Sequence, residues 1–474
     1  MNAPLWLNDR HSRLNPTPVA ELVCPTSVEQ VAAAVARAAG AGRPVSVSGG
    51  RHAMGGQQFV EGGQQVDLSR LDRVVDFRPD HRLVTVQAGI QWPALLAALD
   101  QRQPAGAGGL TFRQKQTGAD RLSIGGALAA NIHGRGLRLP PFVADLESFR
   151  LVDAQGRVRQ CSRTSETDLF RLAIGGYGLF GIVVEVTLRL FPRTKLRRLV
   201  EVITLAEAEA SFDQLLADGF AYGDFQFATD PAGADFLHRG VRSAYLPVGD
   251  DVPVTASPVA LDAEQWLWLL RLAHTDRARA FDMYSRHYLS THGQVYWSDR
   301  HQLGVYVDGY HDRLDRSGSE MITEVFVPRN RLVDFMAACR DDFRTHDVAL
   351  VYGTIRAVRA DCETFLPWAP GDRACVVFNL CVRHDPTGLA KARRDFRRII
   401  DRALERGGSF YLTYHRWATT EQLRAGHPRF PEFLRAKLAA DPEERFQSEW
   451  YRHWRDQIPL PAPAVQPSYS VDDS

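Results

Sequence analysis

Ten residues constrain this chain more than any other stretch: Ser48-Gly49-Gly50-Arg51-His52-Ala53-Met54-Gly55-Gly56-Gln57. Four glycines surround one histidine, directly after the apolar run Pro44-Val45-Ser46-Val47. Glycine lacks Cβ and tolerates φ > 0, so the backbone can turn tightly and approach a bound molecule closely. Backbone N–H groups turned outward in such a loop make a concave nest that suits phosphate. A histidine at its rim offers a nucleophilic ring nitrogen. The combination points to a dinucleotide cofactor and redox chemistry; a plain glycine-rich loop is the competing reading. The stretch is neither GxGxxG nor a Walker A loop, because no Gly-Lys-Ser/Thr follows.

At 474 residues the chain is too long for one ordinary core, so at least two domains are expected. Hydrophobic residues make up 45% and charged ones 24%, as in globular proteins generally. A formal net charge of +1 gives no bulk attraction to nucleic acid or anionic membrane, so the expected partner is a small molecule. Cys24, Cys161, Cys339, Cys362, Cys375 and Cys381 form no CxxC pair, which argues against a zinc cluster or a thioredoxin-type motif. Their sparse spacing suits a reducing cytoplasm. No basic and apolar leader is visible at Met1 to Arg10. Trp266-Leu267-Trp268-Leu269-Leu270 is too short to span a bilayer and reads as a buried helix segment.

Pro25 to Gln30 reads as a turn and helix start, and Val31 to Ala39 carries strong helix formers. Strands are expected at Pro44–Val47, Gln65–Leu68 and Leu83–Gly89, and a helix from Trp92 to Leu99 with Pro93 in its first turn. Phe149 to Val158 reads as a hairpin about Gln155-Gly156. The basic run Arg193 to Arg198 reads as a boundary. Beyond it, strands at Met321–Val327 and Ala374–Val382 alternate with helices at Arg331–Arg340 and Leu389–Arg406, which suggests an antiparallel sheet covered on one face. The fold class is therefore α+β. The tail from Leu460 to Ser474 reads as a loose strap.

Two more glycine clusters accompany the first. One is Ser123-Ile124-Gly125-Gly126-Ala127-Leu128-Ala129-Ala130-Asn131-Ile132-His133-Gly134; the other is Gly175-Gly176-Tyr177-Gly178-Leu179-Phe180-Gly181-Ile182-Val183. Together the three resemble the flavoprotein family of vanillyl-alcohol oxidase and p-cresol methylhydroxylase (the PCMH-type FAD-binding proteins). Cytokinin dehydrogenases read Gly-His-Ser-Leu-x-Gly-Gln in the first loop, where this chain has Arg51-His52-Ala53-Met54-Gly55-Gly56-Gln57. Arg51 replaces the usual Gly, and Ala53 the usual Ser. Phe430-Pro431-Glu432-Phe433-Leu434 and Asp441 to Ser448 are similar to the close of the sugar-lactone and alditol oxidase branch. The likeness covers 15–195 and about 400–455.

The resemblance implies a two-part FAD-binding domain at 1–195, an α/β substrate-binding cap at 196–425 over it, and a return to the FAD domain with a tail at 426–474. It implies FAD contacts from Ser48, Gly49, Gly50, Arg51, His52, Ala53, Met54 and Gln57; from Gly118, Asp120, Ser123, Gly125, Gly126, Asn131, His133 and Gly134; and from Gly181, Ile182 and Val183. His52 falls where many members bond the flavin 8α-methyl group covalently. The implied function is FAD-dependent oxidation of a CH–OH group of a sugar, polyol or similar alcohol, with oxygen or another carrier as electron acceptor. Flavin oxidation needs a base for the hydroxyl proton while hydride leaves for N5.

Sugar-lactone and alditol oxidases carry Pro-His-Trp-Gly-Lys after a Gly-Gly turn. Here Gly407-Gly408-Ser409 leads to Phe410-Tyr411-Leu412-Thr413-Tyr414-His415-Arg416, with Tyr411 at the His position and Tyr414 at the Lys position. Tyr414, Arg416 and His415 are candidates to bind the hydroxyl; an aromatic strand packed in the core is the alternative. Alternation puts Tyr411, Thr413 and His415 on one side, and Leu412, Tyr414 and Arg416 on the other. Arg356 matches a substrate-contacting Arg of alditol oxidases, and Glu324 lies on a strand matched in sugar-lactone oxidases; ion pairs are the plain readings of both. Ile132 is bulky where small residues admit oxygen in relatives, which favours a dehydrogenase. The altered pair keeps other readings open: amine oxidation as in cytokinin dehydrogenase, lipid-linked sugar oxidation as in decaprenylphosphoryl-ribose oxidase, or flavin binding without turnover.

Overall fold

The computed structural model describes residues 5–103, 109–300 and 317–458. The α+β class holds. A three-stranded parallel sheet runs in the order Glu21–Val23, Gln64–Asp67, Val45–Ser48. Helix Val28–Gly40 crosses over between its strands, with the Ser27 side chain accepting from the Gln30 N–H. That cap satisfies one of the donors a helix start leaves exposed. Val28, Val31, Ala34, Val35 and Ala38 recur at helical spacing and are buried. They pack with Val152, Ile182 and Val184 of a second, five-stranded antiparallel sheet. In that sheet the hairpin Leu146–Val152/Val158–Ser162 turns at Gly156, where φ is +77° and glycine is the natural occupant.

The cap is an eight-stranded sheet in the order Val295–Trp297, Lys195–Thr204, Arg239–Val248, Tyr222–Phe227, Leu350–Val358, Arg373–Arg383, Gly318–Pro328, Ser409–Phe410. Its strand pairings among the described residues are antiparallel. Side chains alternate across it. Met321, Val325, Val327, Val376, Phe378 and Leu380 join the core with helices Leu332–Thr345 and Pro386–Leu404, through Phe335, Met336, Phe343, Phe396, Ile399 and Ile400. The register pairs Glu324 with Val377 and Phe326 with Cys375, so Glu320, Ile322, Glu324, Cys375 and Asn379 share the opposite face, toward the glycine clusters.

Several sequence expectations shift. Within the basic run Arg193–Arg198, Lys195 already opens a strand of ten residues. The cap sheet is covered on both sides at one end, where Leu269, Leu272 and Tyr284 of helices Ala263–Thr275 and Arg277–Ser290 meet Val200 and Val241. The Trp266–Leu270 run is only half interior: Leu269 is buried and Trp268 is 38% exposed. The proposed strand through 411–416 stops at Phe410, and the chain then turns. The strap at 460–474 lies outside the described residues.

After helix Phe430–Ala440 the chain returns to the first sheet. Val45 N–H donates to the Arg445 carbonyl, Gln447 N–H donates to the Val45 carbonyl, and Trp450, Tyr451 and Trp454 enter the core. Among the described residues, no helix is long and apolar enough to cross a membrane.

Candidate active site

A cavity of about 240 Å³ lies where the three glycine clusters meet the polar face of the cap sheet. Its wall on one side is the loop 48–57. Arg51 turns that loop at φ +60°, with its guanidinium 2.7 Å from Asp67 Oδ2. Gln57 accepts from Gly55 N–H and donates to the Leu412 carbonyl at 2.7 Å, which ties the loop to the segment bearing Tyr411 and Tyr414. His52 Nδ1 lies 2.7 Å from Nε2 of His11, and both imidazoles line the cavity.

The glycines leave room that side chains would fill. A Cβ on Gly49 would fall 2.2 Å from Ser123 Oγ, and one on Gly50 2.3 Å from the Arg121 carbonyl oxygen. At Gly181, φ is +146° and a Cβ would fall 1.9 Å from a Leu151 methyl. The floor is small or apolar, with Ala88, Ala129, Ala130, Ile132 and Val183. A glycine cradle leading into a flat apolar slot fits the phosphates and ring system of FAD.

The opposite wall holds the titratable groups. Glu324 is 1% exposed, and its two oxygens are engaged separately. Oε1 accepts from Tyr414 OH at 2.6 Å and from Gln116 Nε2 at 3.3 Å. Oε2 lies 2.9 Å from His133 Nε2, while His133 Nδ1 lies 3.0 Å from the Gly134 carbonyl. Both imidazole nitrogens thus face acceptors. Burial pushes the Glu324 carboxyl up. His133, the Arg356 charge and the Tyr414 hydrogen bond outweigh it and hold the group below its usual range. Burial raises the Tyr414 phenol well above its ordinary value, and Glu324 adds to the shift. Cys375 Sγ sits 3.6 Å from His133 Nε2. Gln116, Tyr411, Tyr414, Ile322, Glu320 and Asn379 all line the cavity.

The structure gathers most of the residues singled out from sequence. Ser48 through Met54, Gln57, Gly118, Ser123, Gly125, Gly126, Gly181 and Val183 line the cavity. Asp120 instead pairs with the fully buried Lys115. Asn131 caps helix Ile124–Ala130 in the left-handed conformation and donates to Asp361. His133 and Gly134 sit behind the wall with Glu324, and Ile182 belongs to the core.

Tyr411 and Tyr414 reach the cavity together because the segment turns rather than alternating as a strand; Tyr411 OH donates to the Ala130 carbonyl at 2.5 Å. His415 points away, packed on Phe396 and Trp417 near Thr323, and burial pushes it down to about 3. Arg416 lies 3.4 Å from Asn15. Arg356 is buried, and its charge acts on Glu324. Sequence reasoning passed over His11, Gln116, Glu320, Cys375 and Asn379. Only Asn379 carried a local signal, an amide in the middle of the apolar run Val376–Leu380.

Residues 19–162 match the family model described as an FAD binding domain. The chain is 25% identical to decaprenylphosphoryl-β-D-ribose oxidase of Mycolicibacterium smegmatis, over 93% of this chain and 95% of that enzyme. It is 31% identical to L-gulono-1,4-lactone dehydrogenase of Mycobacterium tuberculosis, over 50% of this chain and 53% of that one. With the mitochondrial L-galactono-1,4-lactone dehydrogenase of Arabidopsis thaliana it shares 31% over 41% of this chain and 28% of the relative. The chain therefore spans nearly all of the first relative, and about half or less of the two lactone dehydrogenases.

Proposed function

We propose that this FAD-dependent oxidoreductase, which carries a PCMH-type FAD-binding domain, oxidises a CH–OH group of a sugar, polyol or related polar alcohol. In this reading 1–195 and 426–474 hold FAD, and 196–425 close over the substrate. Bound FAD supplies the hydride acceptor at N5. The observation that carries the reading is the chain Tyr414–Glu324–His133, in which Tyr414 lines the cavity and Glu324 and His133 are buried behind it. Tyr414 binds the substrate hydroxyl. As that proton reaches the phenol oxygen, the phenol proton passes 2.6 Å to Glu324 Oε1. His133 and Arg356 keep Glu324 ionised and ready to receive it. This arrangement stands in for the lysine that the related sugar oxidases carry at the Tyr414 position.

A second reading, oxidation of a sugar held on a lipid phosphate, is favoured by the near full-length likeness to decaprenylphosphoryl-β-D-ribose oxidase. His52 is the site for a covalent flavin link, and Ile132 on the cavity floor supports a dehydrogenase that passes electrons to a carrier rather than to oxygen. Six free cysteines suit the cytoplasm.

Anaerobic bleaching of the flavin by a panel of polyols, glycosides, lactones and amines tests the reading. Bleaching by alcohols, with a Glu324→Gln variant that binds FAD but bleaches at least about a hundredfold more slowly, is expected. Bleaching by amines alone, or by nothing, sinks it. Acid precipitation tests the link: yellow pellets that turn colourless in His52→Ala support the bond, and yellow supernatants refute it.

A further inference from the structure

We infer that Gln116 and Asn379 are specificity-determining residues that accept hydrogen bonds from two separate hydroxyl groups of one polyhydroxylated substrate. The inference rests on the proposed alcohol oxidation and adds how the substrate is chosen.

Two carboxylates, Glu320 and Glu324, sit four residues apart on the cavity face of strand Gly318–Pro328. Each is paired with an amide from elsewhere in the chain. Asn379 Nδ2 donates to Glu320 Oε2 at 2.6 Å, and Gln116 Nε2 donates to Glu324 Oε1 at 3.3 Å. An ionised carboxylate only accepts, so each amide must turn its NH₂ toward its glutamate. This fixes the amide orientation that crystallographic density usually leaves open. It also forces both amide oxygens away from the glutamates.

Those oxygens are where the pattern becomes informative. Asn379 Oδ1 and Gln116 Oε1 are both buried, and neither has a hydrogen-bond partner among the described residues. Both residues line the same cavity. Buried acceptors are nearly always satisfied in folded proteins, so two left open in one cavity wall mark places for a ligand. An amide oxygen accepts and cannot donate, so the ligand must bring O–H or N–H groups. Ile322 lies between the two glutamates on the same face and lines the cavity, giving an apolar surface for C–H groups between the two acceptors. The register sets Asn379 opposite Ile322, two residues along the strand from Glu324, a separation of about 7 Å that a sugar-sized molecule spans. Gln116, next to Glu324 and Tyr414, reads the end that reacts; Asn379 reads the far end. His274 Nε2, 2.7 Å from Glu320 Oε1, anchors the far glutamate from helix Ala263–Thr275.

The test uses FAD-loaded full-length protein and an artificial dye acceptor. Sorbitol, xylitol, methyl ribofuranoside, monodeoxy analogues of the best of these, and the hexanediols are the probes. Polyhydroxylated probes should be preferred over the hexanediols. Asn379→Ala should raise KM about tenfold, the worth of one neutral hydrogen bond, with kcat nearly unchanged. The same variant should be indifferent to removal of one particular remote hydroxyl, and Gln116→Ala indifferent to a different hydroxyl nearer the oxidised carbon. Asn379→Asp keeps an acceptor but repels Glu320, and should also raise KM; an unchanged flavin spectrum in each variant shows that the fold is intact. Turnover of hexanediols as good as that of polyols, or equal penalties on parent and all deoxy analogues, overturns the inference while leaving alcohol oxidation standing. If no probe reduces the flavin of the wild-type protein, the functional reading itself fails and takes this inference with it.

Discussion

The two walls of the cavity are built from opposite materials. The wall from 48–57, 123–126 and 181–183 is mostly backbone: its shape comes from missing side chains, and a Cβ at Gly49, Gly50 or Gly181 would collide with a neighbour. The facing wall is mostly side chain: Glu320, Asn379, Gln116 and Tyr414 line it, with Glu324 and His133 buried behind, all held by hydrogen bonds between distant segments. In the proposed function the first wall holds FAD, whose shape is the same for every reaction it performs, and the second selects the molecule that reacts. Damage to each should therefore show in different observables.

The largest expected effect is on the backbone wall. Gly50→Ala brings a methyl against the Arg121 carbonyl, which cannot swing aside as a side chain can. Loss of most bound FAD is expected, with overpacking costing about 1–3 kcal/mol. Flavin-to-protein absorbance ratio and thermal melting check it; a variant that keeps full FAD would dissolve the distinction between the walls. Next comes Tyr414→Phe, which should keep FAD and lose about a hundredfold or more in the rate of flavin reduction. Stopped-flow reduction is the measurement, and normal rates would show that Tyr414 is only packing.

The smallest effect is a pH dependence at the outer end of the facing wall. Hydrogen bonding to Cys381 and to Glu320 pushes His274 up to about 9. A histidine with a raised folded pKa contributes stability that is fully present below its unfolded value near 6.5 and is lost as pH climbs through about 9. Wild type should therefore melt a few degrees above Glu320→Gln at pH 6, with the gap closing by pH 10. A gap that is constant with pH would mean that the His274 charge contributes nothing there.

The contrast also explains what could be read without a structure. Glycine clusters are local patterns, so loop 48–57 and the FAD reading were visible at once, as were helix Val28–Gly40 and the Gly156 hairpin. The facing wall depends on strand register: Gln116 meets Glu324 across 208 positions, and Asn379 meets Glu320 across 59. No spacing rule reaches that far. Alternation also misled where the backbone is not a strand, so His415 was grouped with Tyr411, although it faces Phe396 instead. The turn after Phe410 carries Tyr414 to the cavity in its place.

The return of the chain near its end has a consequence for how the protein is made. Val45 sits at the start of the strand that feeds the glycine loop, yet its backbone partners are Arg445 and Gln447. A ribosome synthesises those residues some four hundred positions later. The nascent cradle therefore waits, lacking its neighbour, until Arg445 and Gln447 have emerged. Loading of FAD is then a late event of biosynthesis, and chains cut short before Arg445 should be born without it.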